Sequence, residues 1–357
     1  MYPNFEFALE QLTGADMPDF LNIFQIFGLF VALAFIASAW VLTSELKRKE
    51  KLGLLQPSLS PVKDKKTGET KQVLTYPHQR VSEIVIICAV AGLLGAKIFN
   101  AFETWDNFIQ DPIGNLFSRS GLTFYGGLIC ATLVLMYYAR KHKIGFKHLC
   151  DAAAPALILG YGIGRLGCHF SGDGDWGIFN SAYITHPDGS LHLAATGQFE
   201  HMLQVGKEYF VNNFGSISTV PHLYAPAPSW LPDWLYAMNY AHNVNGEGIA
   251  IAGCTGNYCG VLPVGVFPTP LYEAVVCSGI FAFLWAIRRK INIPLQMFGI
   301  YLIFNGAERF LVEKIRVNYK YDWGFLHPTQ AEIISSILIL IGIGILIFTK
   351  KKQPQTA

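Results

Sequence analysis

Six charged residues stand inside long apolar stretches of the sequence: Lys97, Arg165, Glu273, Glu308, Arg309 and Glu313. A charged side chain near the middle of a membrane costs roughly 2.5–3.5 kcal/mol on insertion scales. Such residues must face one another, a water-filled cavity or a polar ligand. Arg309 and Glu313 are one helical turn apart and can pair. Charge alone leaves two interpretations open: structural ion pairs between helices, or an anion-binding site.

Glycines next to these charges favour the anion site. Arg165 lies in the run Gly164-Arg165-Leu166-Gly167, and a segment in which glycine alternates with serine and aspartate follows at 171–177. Such a segment breaks a helix, and its freed backbone N–H groups can hold phosphate oxygens beside an arginine. A second glycine pair, Gly126 and Gly127, follows Tyr125 near the start of another apolar stretch.

The elements that must position these residues are membrane helices. Hydrophobic residues make up 52% of the chain and charged residues 15%, against roughly 25% charged in an average soluble domain. The apolar runs occupy residues 21–43, 84–102, 122–138, 150–170, 271–286, 297–315 and 333–348. We predict an all-α polytopic membrane protein in which residues 1–357 form a single integral membrane domain with seven transmembrane helices.

The distribution of basic residues predicts the orientation of the helices. Residues 44–82 contain nine lysines and arginines and are expected to form a cytoplasmic loop. Further basic clusters follow the third, fifth and seventh runs, which places the N-terminus outside and the C-terminus inside. The one local exception to the positive-inside rule is the group Lys314, Arg316 and Lys320.

Residues 171–265 are predicted to form a long extracytoplasmic, periplasmic insertion between helices 4 and 5. They contain one basic residue, Lys207, and many Pro, Trp and Tyr residues. This composition indicates a folded body along the membrane interface rather than a disordered segment. Residues 228–234, which include Trp230 and Trp234, are predicted to form an amphipathic interfacial patch. Cys254 and Cys259 flank a polar turn and form either a disulfide in an oxidising compartment or two free thiols.

Other classes of function fit the sequence less well. A net charge of +2 provides no basic field for nucleic acid. No group of His, Cys and Asp residues has metal-ligand spacing, so neither a metal nor another cofactor is expected. The alternative function is a membrane transporter, or a lipid- or anion-binding membrane protein with structural intramembrane ion pairs. A transport path needs polar residues through both membrane halves, whereas the predicted inner halves are almost entirely apolar.

The residues from Gly164 to Gly177 resemble the signature G-R-x-G-N-F-x-N-G-E of the prolipoprotein diacylglyceryl transferase family. Three further stretches are similar: Phe124 to Leu128, Pro268 to Glu273 and Arg309 to Arg316. The resemblance implies a multi-pass enzyme of the bacterial inner (cytoplasmic) membrane. Its members move the diacylglyceryl group of phosphatidylglycerol onto the lipobox cysteine of a prolipoprotein, the first step of lipoprotein maturation. The implied partners are phosphatidylglycerol, the prolipoprotein signal peptide and membrane lipids.

The resemblance also implies roles for particular residues. Arg165 and Arg309 match the family's essential arginines and are expected to stabilise the phosphate leaving group. Glu313 matches a family carboxylate that either orients Arg309 or helps to deprotonate the substrate thiol. The remaining residues of the predicted phosphatidylglycerol site are Lys97, Gly126, Gly127, Gly172 and Glu273.

The sequence departs from the family pattern at the group that removes the thiol proton. The usual His-Gly-Gly motif has Tyr125 in place of its histidine, and a tyrosine with a pKa around 10 is a poor resting base. Cys168 and Ser171 replace the two asparagines of the signature, and Asp173 replaces its glutamate. The candidates for the base are therefore Tyr125, His169 and Asp173. The outer insertion, residues 171–265, either guides the signal peptide or caps the structure.

Overall fold

The computed structural model of the protein describes residues 1–63, 70–118, 121, 123–318, 320–322, 324 and 326–351. Within these residues it contains twelve α-helices. They are α1 (Phe5–Thr13), α2 (Ile26–Lys51), α3 (Val81–Glu103), α4 (Trp105–Gln110), α5 (Pro112–Phe117), α6 (Phe124–Lys141), α7 (Phe146–Ser171), α8 (Gln198–Val205), α9 (Lys207–Phe214), α10 (Thr269–Ile287), α11 (Gln296–Glu313) and α12 (Gln330–Lys351).

Each of the seven predicted apolar runs lies on a long helix, but some ends differ. α2 begins at Ile26, because a short 3-10 helix occupies Asp19–Ile23. It then continues to Lys51, so residues 44–51 are helical rather than part of a loop. Their glutamates and lysines are good helix formers, and Arg48 pairs with Glu45 at 2.9 Å. Leu122, the predicted start of the third run, lies outside the described residues.

In the described part of the chain, five helical stretches are long and apolar enough to cross a membrane. They are Ile26–Lys51, Pro77–Glu103, Phe146–Ser171, Thr269–Ile287 and Gln330–Thr349. The helices at the two other predicted positions, α6 and α11, contain 18 residues each and carry charged side chains near one end. The protein is therefore a multi-pass, mostly helical membrane protein.

The chain forms two compact units. One contains Met1–Ala34, Leu157–Arg289 and Gly299–Ala357, and the other contains Phe35–Ala156 and Lys290–Phe298. In the second unit, strands β1 (Ser58–Lys63) and β2 (Thr70–Thr75) form an antiparallel hairpin. Asp151 accepts hydrogen bonds from the N–H groups of Leu295 and Phe298 at 2.8 and 2.9 Å. The Asp151 carboxylate therefore caps the start of α11.

Close packing of α3 against α6 depends on glycine. A Cβ atom added at Gly126 would lie 2.4 Å from Phe99 Cβ and 2.7 Å from the carbonyl oxygen of Gly95. A Cβ atom at Gly127 would lie 2.8 Å from the carbonyl oxygen of Gly92. Membrane helices commonly use small residues in this way to bring their backbones together. Both glycines therefore have a packing role.

In the first unit, residues 171–265 fold around a core of their own, as their aromatic content predicted. Strand β3 (Phe179–Thr185) pairs antiparallel with β4 (Leu191–Leu193) and β8 (Val264–Val266), and parallel with β5 (His222–Leu223). Two further strands, β6 (Ile249–Ala250) and β7 (Gly260–Val261), form a separate pair. The core includes Phe179, Phe210, Tyr240, Leu262 and Val264. Cys254 and Cys259 are joined by a disulfide.

We expect Gly126→Ala to destabilise the protein, because its new methyl group meets Phe99 and the backbone of α3. Overpacking of this kind typically costs about 1–3 kcal/mol. The matched control is Gly279→Ala on α10, where a Cβ atom meets nothing within 4 Å. Thermal unfolding in nanodiscs should show a lower midpoint for Gly126→Ala alone. Equal midpoints for the two variants would contradict the packing role.

Candidate functional site

Glu273, close to the start of α10, is fully buried and is surrounded by positive charge. Its Oε2 atom lies 2.8 Å from Nε of Arg165 on α7. Its Oε1 atom accepts a hydrogen bond of 3.2 Å from Nη1 of Arg316, which follows α11. The hydroxyl of Tyr161, one turn before Arg165, also donates to Oε2. A carboxylate in an apolar helix bundle is tolerated because several donors surround it.

Asp175 closes this arrangement into a ring. Arg316 Nη2 donates to Asp175 Oδ1 at 2.5 Å, and Arg165 Nη1 donates to Oδ2. Two arginines and two carboxylates thus alternate in an arginine–carboxylate ring of Arg165, Glu273, Arg316 and Asp175. Burial disfavours ionisation of Asp175, but the two guanidinium groups outweigh burial and lower its pKa to about 2. Asp175 therefore remains ionised at neutral pH.

The turn after α7 brings Asp175 back toward Arg165. Gly172 and Gly174 have φ angles of +65° and +93°, which few other residues adopt. A Cβ atom at Gly172 would lie 2.9 Å from Asn243 Cβ. The N–H of Gly172 donates to the carbonyl of Cys168 at 3.0 Å, and that of Gly177 to Phe267 at 2.9 Å. These N–H groups are already used in hydrogen bonds within the protein. Contact of Gly172 with lipid stays a prediction.

Asp173 lies at the edge of the ring beside Cys168. Burial raises its pKa, and the negative charge of Asp175 raises it further, although the Cys168 thiol opposes this by hydrogen bonding. Ligand atoms of Cys168, Asp173 and Asp175 lie within 4.8 Å of one another. Asp175 is engaged by two guanidinium groups, whose positive charge would repel a cation at this position. The two guanidinium groups therefore disfavour a metal ion next to Asp175.

Arg309 and Glu313 form a second ion pair on α11, with Arg309 Nη2 3.0 Å from Glu313 Oε2. Asn318 donates to Glu313 Oε1 at 2.7 Å. Arg309 Nη1 is buried and finds no hydrogen-bond partner among the described residues. Neither carboxylate oxygen of Glu308 has a partner there either. Arg309 thus has a spare donor, whereas Arg165 and Arg316 are engaged by carboxylates.

His169 faces the core of residues 171–265. Its ring is buried, and Nδ1 lies 3.2 Å from the hydroxyl of Tyr240. The two rings also make an edge-to-face contact, with centroids 5.8 Å apart. These contacts favour a structural role, and catalysis by His169 stays a prediction.

The remaining predicted site residues belong to the second unit. Tyr125 is half-buried in the first turn of α6, directly before the two packing glycines. The Nζ atom of Lys97 donates to the carbonyl oxygen and the hydroxyl of Ser118 at 2.7 and 2.9 Å. Lys97 therefore holds the segment that follows α5. Its contact with phosphatidylglycerol, like that of Tyr125, Gly126 and Gly127, stays a prediction.

Three residues of the site were missing from the predicted set: Tyr161, Asp175 and Arg316. Arg316 lies seven residues after Arg309 and three residues past the end of α11. In the sequence it was part of the exception to the positive-inside rule and the last residue of the stretch Arg309 to Arg316 that resembles the family. In the structure Arg316 pairs with both Asp175 and Glu273.

Comparison with known proteins identifies relatives that match most of the chain. The profile of the family described as "Prolipoprotein diacylglyceryl transferase" matches residues 20–348. The chain is similar to the phosphatidylglycerol–prolipoprotein diacylglyceryl transferase of Leptospira interrogans, with 28% identity over 88% of this chain and 86% of the relative. The enzyme of that name from Dehalococcoides mccartyi is 23% identical over 80% of this chain and 83% of the relative. The one from Chlorobaculum tepidum is 27% identical over 78% of this chain and 76% of the relative.

We expect Glu273→Gln to destabilise the protein strongly, because it leaves two buried arginines with one carboxylate. Breaking a buried ion pair typically costs about 3–5 kcal/mol. The matched control is Lys314→Ala, which removes the more exposed pair of Lys314 with Glu332 and should cost about 1 kcal/mol or less. Thermal unfolding of both variants in nanodiscs tests this difference. A Glu273→Gln midpoint as high as that of Lys314→Ala would show that the ring does not hold the helices together.

Proposed function

The chain belongs to the prolipoprotein diacylglyceryl transferase family, and from this premise we propose that its reaction takes place beside the arginine–carboxylate ring. The enzyme is a transferase that moves the diacylglyceryl group of phosphatidylglycerol to a prolipoprotein. The acceptor in our proposal is the lipobox cysteine of the signal peptide. Its sulfur forms a bond to the glyceryl carbon while the bond from that carbon to the phosphate oxygen breaks. Glycerol phosphate leaves with the bonding electron pair.

The spare donor of Arg309 carries the assignment of the phosphate site. A buried donor without a partner costs about 1–3 kcal/mol, and a phosphate oxygen is a strong acceptor that would satisfy it. Negative charge grows on this phosphate as the carbon–oxygen bond breaks, so a fixed guanidinium group stabilises the transition state. Glu313 orients Arg309 through their ion pair. Arg165 and Arg316 fix the wall of the site from within the ring.

Asp173 is the base that the geometry supports best. A raised pKa brings its proton affinity closer to that of a thiol, whose own pKa is near 8.5. It also lies beside the ring rather than inside it, so it can gain a proton without breaking an ion pair. Tyr125 remains the second candidate, since it occupies the position of the family's motif histidine.

The proposed topology has seven transmembrane helices in the bacterial inner membrane, with the N-terminus outside and the C-terminus inside. Residues 44–82 then lie in the cytoplasm and residues 171–265 in the periplasm, within one integral membrane domain. Basic clusters at four successive predicted inner positions support this orientation. It places the ring at the outer ends of α7 and α10, on the side where exported prolipoproteins emerge.

Arg309→Ala should lower kcat by about 100- to 1,000-fold, the usual loss when one transition-state donor is removed. Arg309→Lys should fall between this variant and the wild type, because it keeps the charge but loses the planar fork. The matched control is Arg289→Ala, an exposed arginine after α10, which should keep full activity. The assay follows labelled phosphatidylglycerol onto a lipobox peptide in nanodiscs. Full activity in Arg309→Ala would sink the phosphate assignment.

Asp173→Asn should lower kcat and remove the acid limb of its pH profile. The base acts in its ionised form, so activity falls as pH drops through the Asp173 pKa. Because that pKa is raised, the limb should lie above the pH of about 4 that is normal for aspartate. Tyr125→Phe should keep the acid limb. If Asp173→Asn retains activity and Tyr125→Phe loses it, Tyr125 is the base instead.

A further inference from the structure

Residues 228–235 form a turn, which we call the tryptophan turn, that displays two exposed indole rings. Trp230 is 78% exposed and Trp234 is 52% exposed. The backbone beneath them is fixed, since the N–H of Leu231 donates to Pro228 at 2.9 Å and that of Leu235 to Pro232 at 3.1 Å. The two rings are therefore held outward on an ordered turn rather than on a loose loop.

The turn is fastened to the core of residues 171–265. Buried Tyr183 donates its hydroxyl to Asp233 Oδ1 at 2.7 Å and accepts the N–H of Ala227 at 2.9 Å. Asp233 is the only charged residue between positions 228 and 235. Its carboxylate is exposed but is held by the hydrogen bond to Tyr183, so the turn presents two indole rings beside one fixed negative charge, which suits the polar boundary layer of a membrane rather than its core.

A second hydrogen bond fixes the position of the tryptophan turn along the axis of α10. The hydroxyl of Tyr272 donates to the carbonyl of Leu235. Tyr272 lies three residues after Thr269, where α10 begins, which is about 4.5 Å along the helix axis. The polar boundary layer of a bilayer is roughly 5–8 Å thick on each side. The turn therefore lies within this layer if α10 enters the membrane near its first turn.

The surface of α10 just beyond Tyr272 fits this placement. Val275 and Val276 are 64% and 45% exposed, and α10 is one of the helices apolar enough to cross a membrane. Exposed valines on such a helix face lipid. The tryptophan turn thus continues a lipid-facing surface at the level where tryptophan is most favoured, because its ring is apolar and its N–H can bond to headgroups.

We propose that the tryptophan turn inserts into the headgroup–acyl boundary of the membrane, with Trp230 and Trp234 as interfacial anchors. The occupant of this surface is lipid, and the anchors fix residues 171–265 at the membrane surface. This inference depends on α10 being a membrane span and not on the transferase activity. The membrane anchor and the proposed function can therefore be tested and refuted separately.

The test uses the full-length protein in nanodiscs of phosphatidylcholine and phosphatidylglycerol. The difference in tryptophan emission between wild type and the Trp230→Phe/Trp234→Phe variant isolates the two anchors. We expect lipids brominated near the carbonyl end of the acyl chain to quench this component more strongly than lipids brominated near the methyl end. Aqueous iodide should quench it weakly. Tyr272→Phe, which keeps both tryptophans, should reduce the lipid quenching and increase the iodide quenching.

Two outcomes would overturn the proposal. Strong iodide quenching without lipid quenching would place the rings in water. Protection from both quenchers would place them against protein, either a second copy or a bound partner. The transferase assay and thermal unfolding of the double variant check that it is folded, and its activity bears on the proposed function alone.

Discussion

The burial of the Glu273 carboxylate is the constraint on which the rest of this site depends. A charge in an apolar bundle has no water to stabilise it, so the protein must supply donors from several directions. Arg165 comes from α7 and Arg316 from the segment after α11, so one carboxylate ties three parts of the chain together. Two arginines around one carboxylate would leave excess positive charge. Asp175 removes it, and this requires the glycine turn that follows α7.

The ring also separates structural from chemical roles among the arginines. A guanidinium group that already binds two carboxylates is held rigidly and has few N–H donors left for a ligand. Arg309 has one acidic partner and a donor left over. A phosphate site built on Arg309 therefore gains from the rigidity of the ring without having to break it. Preorganisation of this kind lowers the reorganisation that accompanies charge development in the transition state.

The sequence predicted the helices well because burial in lipid imposes a long apolar run that composition alone reveals. It also predicted that the intramembrane charges must find partners, and Arg165 with Glu273 and Arg309 with Glu313 are such pairs. It did not identify Asp175 or Arg316, because their roles depend on where a turn and a helix end meet in three dimensions. Lys97 donates to the backbone of the segment after α5, a contact that the sequence did not reveal, and its predicted contact with phosphatidylglycerol stays a prediction.

Charge balance links the proposed phosphate site to the proposed base. The carboxylates of Asp173 and Asp175 lie close together. A nearby anion favours the protonated form of a carboxyl group, so in the proposed complex a lipid phosphate close to this pair would raise the proton affinity of Asp173 further. Asp173 would thus be a stronger base when the donor lipid is in place. In the proposed mechanism this step needs no histidine, because a half-buried aspartate next to a second carboxylate would accept the thiol proton.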